Sequence, residues 1–504
     1  MTEVVIGSGP AGVAAATALL DRGRRVLMID GGKAFAPADA GLKDALAATG
    51  PQGWSERQRA AWAAPQFAGP PGQTRRYGSD AGMEPAAATW ADAAGVALRA
   101  SMAEGGLSNL WGAAVLPYAA KDMAGWPVTA DDLAPHYRAV AGFLPVQGTD
   151  ALDGLFPAFP MAGRSALAPS AQAGEVLRRL ARLDVPGVTV GAARVAVGDG
   201  CRACGMCLHG CPWDLIWSAR QALAVLSRHG GFTYRAGPAV VAVESSDRDV
   251  TLRLADGTSV TGERAYLGAG VLPTAQILMA SGYADRLELK DSQQVLMPFL
   301  HRWAAAAAPD RLPFTTLPQV FVEIDRAEVS PFLVHAQLYT WNDHFPRDLI
   351  ASYGRLPGAA PVLRALARRL IVAQLFLHSA HSGRIGLRLA ADGRLVAEPV
   401  ANPAMPARLD AALGVLRRTL AGAGMTALPF ARRVGTPGSS FHVGGSLPMA
   451  DAPSRGQSDR LGRPGGTGRL HVIDASVFPS VPATTITFSV MANAHRIASE
   501  APDD

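Results

Sequence analysis

Lysine is nearly absent from this chain. It occurs only at Lys33, Lys43, Lys121 and Lys290, and arginine supplies the rest of the 47 basic residues. No Lys/Arg-rich block stands out, and the formal net charge is only +5. That pattern excludes nucleic acid as an expected partner. Charged residues make up 18% of the chain and hydrophobic ones 49%, which excludes a disordered chain. Long apolar runs are missing as well. The longest, such as Leu370–Leu377, have the length of a core strand, far below the ~20 residues of a membrane span. No apolar leader precedes the first strand, because Met1 and Thr2 run straight into it. A cytoplasmic protein is the expectation, with export beside a leader-bearing partner as the alternative. Cysteine is missing everywhere except between positions 201 and 211, so no disulfide framework spans the chain. At 504 residues the chain is too long for one small core, and two lobes are expected.

The cysteines that do occur are concentrated in Cys201-Arg-Ala-Cys204-Gly-Met-Cys207-Leu-His-Gly-Cys211-Pro212. The spacing is C-x2-C-x2-C-x3-C-P, the run with which bacterial ferredoxins hold iron–sulfur clusters. Short spacers let thiolates converge, and Gly205 and Gly210 free the turn backbone. Cys201, Cys204, Cys207 and Cys211 are therefore the candidate metal ligands. A [4Fe–4S] cluster is favoured and a [3Fe–4S] cluster is the alternative. In ferredoxins the fourth cysteine serves a second cluster, and no second motif exists here. Structural zinc and a pair of disulfides stay open, although zinc sites usually pair two C-x2-C knuckles across a longer loop. A chain with all its thiols in one such run is expected to pass single electrons.

The N-terminus carries a second redox signature. Glu3-Val-Val-Ile-Gly7-Ser-Gly9-Pro-Ala-Gly12 runs from an apolar strand into G-x-G-x-x-G, and a helix follows to Leu20. A second strand, Arg25–Ile29, ends in Asp30. This is a dinucleotide fingerprint in its required context. Gly7 makes the tight turn, Gly9 lets the backbone approach a pyrophosphate, and Gly12 lets helix and strand pack closely. The helix N-terminus faces the phosphates, and Asp30 lies where an acid binds ribose hydroxyls.

Along the chain, residues 34–100 are an Ala/Pro/Gly-rich excursion, and a Gly-rich turn follows at Glu104–Gly112. Helices are expected over Ala130–Val140, Ala171–Leu183 and about Ser218–His229. Residues 231–269 alternate like a meander: Phe232–Arg235, Val240–Val243, Val250–Leu254 and Arg264–Leu267. Four β-like runs between 290 and 400 (Gln319–Ile324, Phe332–Tyr339, Leu370–Leu377, Arg384–Leu389) suggest one antiparallel sheet with helical inserts. A helix over Ala407–Gly422, a strand at Arg469–Ile473 and a helix over Thr487–Glu500 complete the chain.

The tail holds Ser440-Phe-His442-Val-Gly444-Gly445-Ser446, then Asp474-Ala475-Ser476-Val-Phe-Pro479, and Thr485-Ile486 leading into the last helix. It resembles the C-terminal signature of the glucose–methanol–choline (GMC) oxidoreductases. Gly105-Gly106 and Gly268-Ala-Gly270 are similar to that family's flavin-contact segments. The resemblance implies an α/β fold, with a Rossmann-type FAD-binding domain and an antiparallel-sheet substrate domain. The boundaries it suggests are 1–289 for the first FAD-binding part, 290–430 for the substrate domain and 431–504 for the C-terminal FAD-binding part.

It further implies FAD contacts from Gly106, Ser108, Asn109, Val241, Asp474, Ala475 and Ile486, besides Gly7, Gly9, Gly12 and Asp30. His442 falls on the catalytic histidine, the base for a substrate hydroxyl. Thr485 stands where the family usually has a second histidine or an asparagine. It can hydrogen-bond but cannot act as a base near neutral pH. His378 and His381 are the alternative proton handlers, weighed against plain sheet-edge roles. The expected function is a FAD-dependent dehydrogenase of an alcohol- or sugar-like small molecule. Electrons would leave through the iron–sulfur cluster to an acceptor protein or partner subunit. The alternatives are a reductase running the same chemistry backward, and a flavin/iron–sulfur electron-transfer subunit without its own substrate.

Overall fold

The computed structural model describes residues 2–34, 37–64, 90–109, 111–303, 315–342, 344–354, 358–465 and 467–503. Residues 65–89 of the Ala/Pro/Gly-rich excursion therefore lie outside the described residues. The rest of that excursion carries two helices, Pro37–Thr49 and Glu56–Ala63.

The first layer is a parallel sheet built from distant parts of the chain. Its strand order is Leu470–Val472, Ala265–Leu267, Thr2–Ile6, Arg25–Asp30 and Phe232–Ala236. The central strands are short apolar runs, as a sheet covered on both faces requires. Helix Pro10–Asp21 follows the first strand and packs against the last helix, Thr487–Glu500. Both helices bury several alanines: Ala14, Ala15 and Ala18 on one, Ala492, Ala494 and Ala498 on the other.

Two expectations about strand partners change here. Phe232–Ala236 joins the edge of the parallel sheet beside Arg25–Asp30. Ala265–Leu267 lies inside the same sheet. The true meander has three strands, Val240–Ser245, Val250–Leu254 and Ser259–Gly262. Period-2 alternation reports that a segment is extended, but not which edge it joins.

The second layer is an antiparallel sheet. Val188–Ala192, Val320–Ile324, Val334–Tyr339, Leu370–Phe376, Gln294–His301 and Met425–Ala427 follow one another across it, and Arg433–Val434 also pairs with Gln294–His301. Successive side chains point to opposite faces. On one face Val320, Val322, Val334, Ala336, Leu338, Ile371 and Leu375 form a core with helix residues Leu409, Leu413 and Leu416. Glu323, His335, Gln337, Tyr339, Gln374 and Phe376 alternate with them and occupy the other face. Arg384–Leu389 leaves this sheet. It pairs with Arg286–Asp291 and Leu395–Val400 in a separate sheet that also holds Val443–Gly444 and Trp90–Asp92. The turn at Ser379–His381 redirects the chain after Phe376.

Gly12 shows how tightly the first βαβ unit is drawn. A Cβ there would stand 1.9 Å from the carbonyl oxygen of Gly7. Helix propensity alone would make Gly12→Ala stabilising by about 1 kcal/mol. The clash is with backbone, so overpacking dominates, and a net loss of about 1–3 kcal/mol is expected in urea unfolding. A midpoint equal to or above that of the parent would show that the crossing has slack.

Candidate active site

The parallel sheet ends at a cavity of about 190 Å³. Gly7, Gly9, Asp30, Gly106, Asp474, Ala475 and Ile486 line it, so seven of the expected cofactor residues meet there. Gly7 has φ +99°, in the left-handed region, where a side chain would be strained. Gly9 has φ −66°, and a Cβ there meets nothing within 4 Å. The backbone at Gly9 is thus open to the cavity. Gly12 lies behind, in the helix packing.

Asp30 accepts backbone N–H groups from Ser8 and Gly32, which holds it at the strand end. Glu104 lies close enough that burial first, and the Asp30 charge second, raise its pKa. Asp474 is buried and accepts from the Gly270 N–H at 3.0 Å, the Thr274 hydroxyl at 2.6 Å and the Ser476 N–H at 2.9 Å. It ties the tail to the turn that starts helix Val271–Ala280. Burial raises its pKa against those hydrogen bonds.

Three expected contacts stand apart. Ser108 accepts from the Ala219 N–H and donates to the Gly105 carbonyl, and it lines a neighbouring cavity. Asn109 donates to the carbonyls of Glu104 and Gly106, holding the Gly-rich turn. Val241 sits on the meander with an exposed side chain, away from the residues that line the cavity.

The residues present fit FAD. Open backbone at Gly9, the N-terminal ends of helices Pro10–Asp21 and Thr487–Glu500, and an acid at the second strand's end converge on one groove. Helix N-termini favour phosphate and other anionic groups.

A second cavity, of about 200 Å³, continues from the first. The two share Pro10, Leu107, Phe441, Ile486 and Thr487. His442 and Thr485 both line this second cavity, with Trp111, Phe376, Gln337, Tyr339 and Gln374. His442 stacks on Phe376, with ring centroids 4.7 Å apart. Its Nδ1 is buried without a protein partner. Burial pushes its pKa down to about 3, so the ring is a neutral imidazole.

The loop carrying His442 is tied down from beneath. Asp291 accepts from the Ser440 hydroxyl at 2.7 Å and the Gly438 N–H at 2.8 Å, and Ser440 Oγ accepts from the His442 N–H at 3.0 Å. Phe441, between them, has φ +61°. Such backbone strain persists only where surrounding contacts enforce it. Thr485 accepts from the Leu116 N–H at 2.9 Å, so its hydroxyl hydrogen remains to donate. His378 stacks on Phe332 and accepts from the Ala380 N–H, and His381 pairs with the Ser330 hydroxyl. Neither is among the residues lining the His442 cavity.

The cysteine loop packs beside helices Pro37–Thr49 and Glu56–Ala63. Cys204 and Met206 are buried with Leu46, Trp54 and Trp62. Cys207 accepts hydrogen bonds from the Thr316 N–H and hydroxyl, and Cys211 from the backbone N–H groups of Trp213, Leu215 and Ile216. Burial pushes the Cys204 thiol up to about 12 and the Cys207 thiol to about 11, and the neighbouring cysteines push the same way. Among the described residues, no three His, Cys, Asp or Glu side chains are gathered as a metal site. Five residues past the loop, the Trp217 carbonyl accepts from the indole N–H of Trp111, which lines the second cavity, at 2.9 Å.

Asp291 and the line Glu323–His335–Gln337–Tyr339 were not expected from sequence. Histidine, glutamine and tyrosine at 335, 337 and 339 gave a signal, polar groups at every second position of an apolar strand.

Comparison with known proteins agrees with this geometry. Residues 402–494, which include His442, Asp474 and Thr485, match the family model described as GMC oxidoreductase. The structure is similar to that of pyridoxine 4-oxidase from Mesorbium loti. The match has a TM-score of 0.62 at 18% identity and covers 99% of this chain and 98% of that one. No curated protein sequence matches the chain. The family match covers this C-terminal segment, and the structural match shows the fold. Among the described residues, no helix is long and apolar enough to cross a membrane.

Gly9→Val separates the cradle from the fold. Because the position has an ordinary φ and open space, the variant is expected to fold with unchanged far-UV circular dichroism. Its side chain would fill the groove, and the purified protein should lack flavin absorbance. Full flavin content in a folded variant would remove this groove from FAD binding.

Proposed function

We propose that this protein is a dehydrogenase that oxidises a CH–OH group of a small alcohol- or sugar-like molecule, with His442 as the base. The observation that carries this is the shared cavity wall. His442 and Thr485 face one space, and that space runs directly on from the FAD groove. Bound FAD supplies a hydride-accepting centre. The protein's own part is to orient the alcohol and take its proton. A neutral imidazole with an unpaired nitrogen can accept that proton. Thr485 can donate to the substrate oxygen and fix its position. Asp291 and Ser440 hold the His442 loop in place. Trp111 and Phe376 form apolar walls that exclude water from the reacting group. Pyridoxine 4-oxidase is named for oxidation of pyridoxine, a ring compound, and a ring alcohol suits these aromatic walls.

His442→Ala should keep FAD and lower the anaerobic rate of flavin reduction by about 10²-fold or more. Burial keeps the ring neutral down to about pH 3. The rate should therefore show no histidine limb between about pH 5 and 8, where an ordinary imidazole titrates. An unchanged rate in the alanine variant would move the base elsewhere.

The four cysteines are proposed to hold an iron–sulfur cluster that hands electrons singly to an acceptor protein. Support comes from their ferredoxin spacing and the absence of any other cysteine. N–H donors directed at Cys207 and Cys211 add to it, because such hydrogen bonds stabilise sulfur carrying negative charge. Iron and acid-labile sulfide are expected in anaerobically purified protein, and Cys204→Ser should lose both. That variant should still reduce its flavin with substrate but fail to reduce a one-electron acceptor. Zinc in place of iron, or cysteines paired as disulfides, would overturn the cluster. Direct oxidation by oxygen at full rate would remove the need for a relay and make the enzyme an oxidase.

A further inference from the structure

Four polar side chains on the cavity face of the antiparallel sheet form one continuous line, and proton removal by His442 does not use it. Glu323 and His335 are fully buried and stand opposite each other in the strand register. Glu323 Oε1 lies 2.7 Å from His335 Nδ1. The other ring nitrogen of His335 lies 3.1 Å from the side-chain nitrogen of Gln337. The Tyr339 hydroxyl donates to Gln337 Oε1 at 3.0 Å. His335, Gln337 and Tyr339 are alternate residues of one strand, so a single strand face carries the line from core to cavity. Only its far end, Gln337 and Tyr339, borders the space shared with His442.

The line has a direction. The Gln337 amide has its nitrogen against His335 Nε2 and its oxygen against the Tyr339 hydroxyl. An amide nitrogen only donates, so His335 Nε2 accepts and the ring hydrogen sits on Nδ1, toward Glu323 Oε1. An amide oxygen only accepts, so Tyr339 must donate to it. The hydrogen of Tyr339 is thus committed to the protein. Burial pushes the Tyr339 pKa up, so it stays a neutral hydroxyl. What its oxygen offers to the cavity is a lone pair.

We infer that Tyr339 is a specificity-determining residue whose oxygen accepts a hydrogen bond from a second donor group on the substrate, away from the oxidised CH–OH. Glu323 and His335 are positioning residues that fix this polarity. The inference rests on the proposed oxidation at His442 and narrows its substrate class. The aromatic walls of Trp111, Phe376 and Phe441 suit a planar ring. The ring alcohol accepted best carries a further O–H or N–H, and its ether analogue is disfavoured. A site built around a hydrogen bond rejects the partner that cannot make it more strongly than an apolar site would.

The test uses ligands with no CH–OH group, so that binding is read without turnover. FAD-loaded protein is titrated by calorimetry with 4-methylphenol and with 4-methylanisole, its methyl ether, and both are repeated with the 3-methyl isomers. For the better-fitting isomer, the phenol is expected to bind about tenfold tighter than the ether, or more. Tyr339→Phe removes only one oxygen and should bring the ratio close to one. Glu323→Gln lets an amide donate to His335 and allows the line to reverse, so the preference should fall or invert. A merely structural loss would weaken both ligands alike and leave the ratio intact. A parent ratio near one for both isomers, or a ratio unmoved by Tyr339→Phe, would overturn the inference. Separately, flavin that no ring alcohol bleaches, in a protein that still discriminates phenol from ether, would count against the oxidation and leave the recognition wall standing.

Discussion

The structure depends on one close approach, the packing of the first helix against the last. Helix Pro10–Asp21 and helix Thr487–Glu500 lie 477 residues apart in sequence, by the difference of their first residues 10 and 487, yet they start at the same cavity. Small side chains make this geometry available, because backbones approach only as far as their side chains permit. On its other side the first helix is drawn against its own strand, where the Gly7 carbonyl stands against Gly12. Two sets of unpaired helix N–H groups are aimed at one groove as a result. That is a local positive field from backbone groups, beside Arg99 in the groove wall. The acids beside it are restrained accordingly. Asp30 and Asp474 spend their oxygens on backbone N–H groups and hydroxyls.

The antiparallel sheet solves a different problem. One face must bury an apolar core against helix Met405–Gly422, and the other must present chemistry to a cavity. A strand does both at once through its period of two. In Val334–Tyr339, Val334, Ala336 and Leu338 pack against the helices while His335, Gln337 and Tyr339 face the site. A one-residue slip would exchange the two sets and bury three polar groups in the core. The Glu323–His335 pair adds to the cost of such a slip, because a buried carboxylate separated from its partner is strongly disfavoured. If Tyr339 recognises substrate as inferred, recognition and register are held by the same residues.

What could be read from sequence was what is local. The fingerprint at Gly7, Gly9 and Gly12 and the acid at Asp30 lie within one βαβ unit, and the structure brings Gly7, Gly9 and Asp30 to one groove. His442 and Thr485 could be paired because the tail pattern places both, and they share a cavity. Partner choice was not legible. Phe232–Ala236 has the same alternation whether it joins a meander or a parallel edge, and Arg384–Leu389 carries no mark of its separate sheet. His378 and His381 resemble catalytic residues only as letters, since stacking on Phe332 and bonding to Ser330 are long-range facts. Glu323 was hidden for the same reason. A lone acid in an apolar strand makes sense only once its cross-strand partner is known.

The two histidines near the cavity are treated in opposite ways, and the contrast bears on chemistry. His335 has the Glu323 carboxyl on Nδ1, which fixes its tautomer. His442 has no partner on Nδ1 and is held at low pKa. Phe376 lies between them and stacks on both rings, at 6.1 Å from His335 and 4.7 Å from His442. The carboxylate is thus committed to the histidine that does not line the cavity. Under the proposed oxidation, His442 would be a weak base. Such a base holds a proton only while the donor is itself becoming acidic, so it would take the proton as the CH–OH carbon gives up its hydride and would not retain it afterwards. A Glu323-type partner on His442 would favour the imidazolium before that moment. Placing Glu323 on the His335 side of Phe376 leaves His442 without a carboxyl partner on Nδ1.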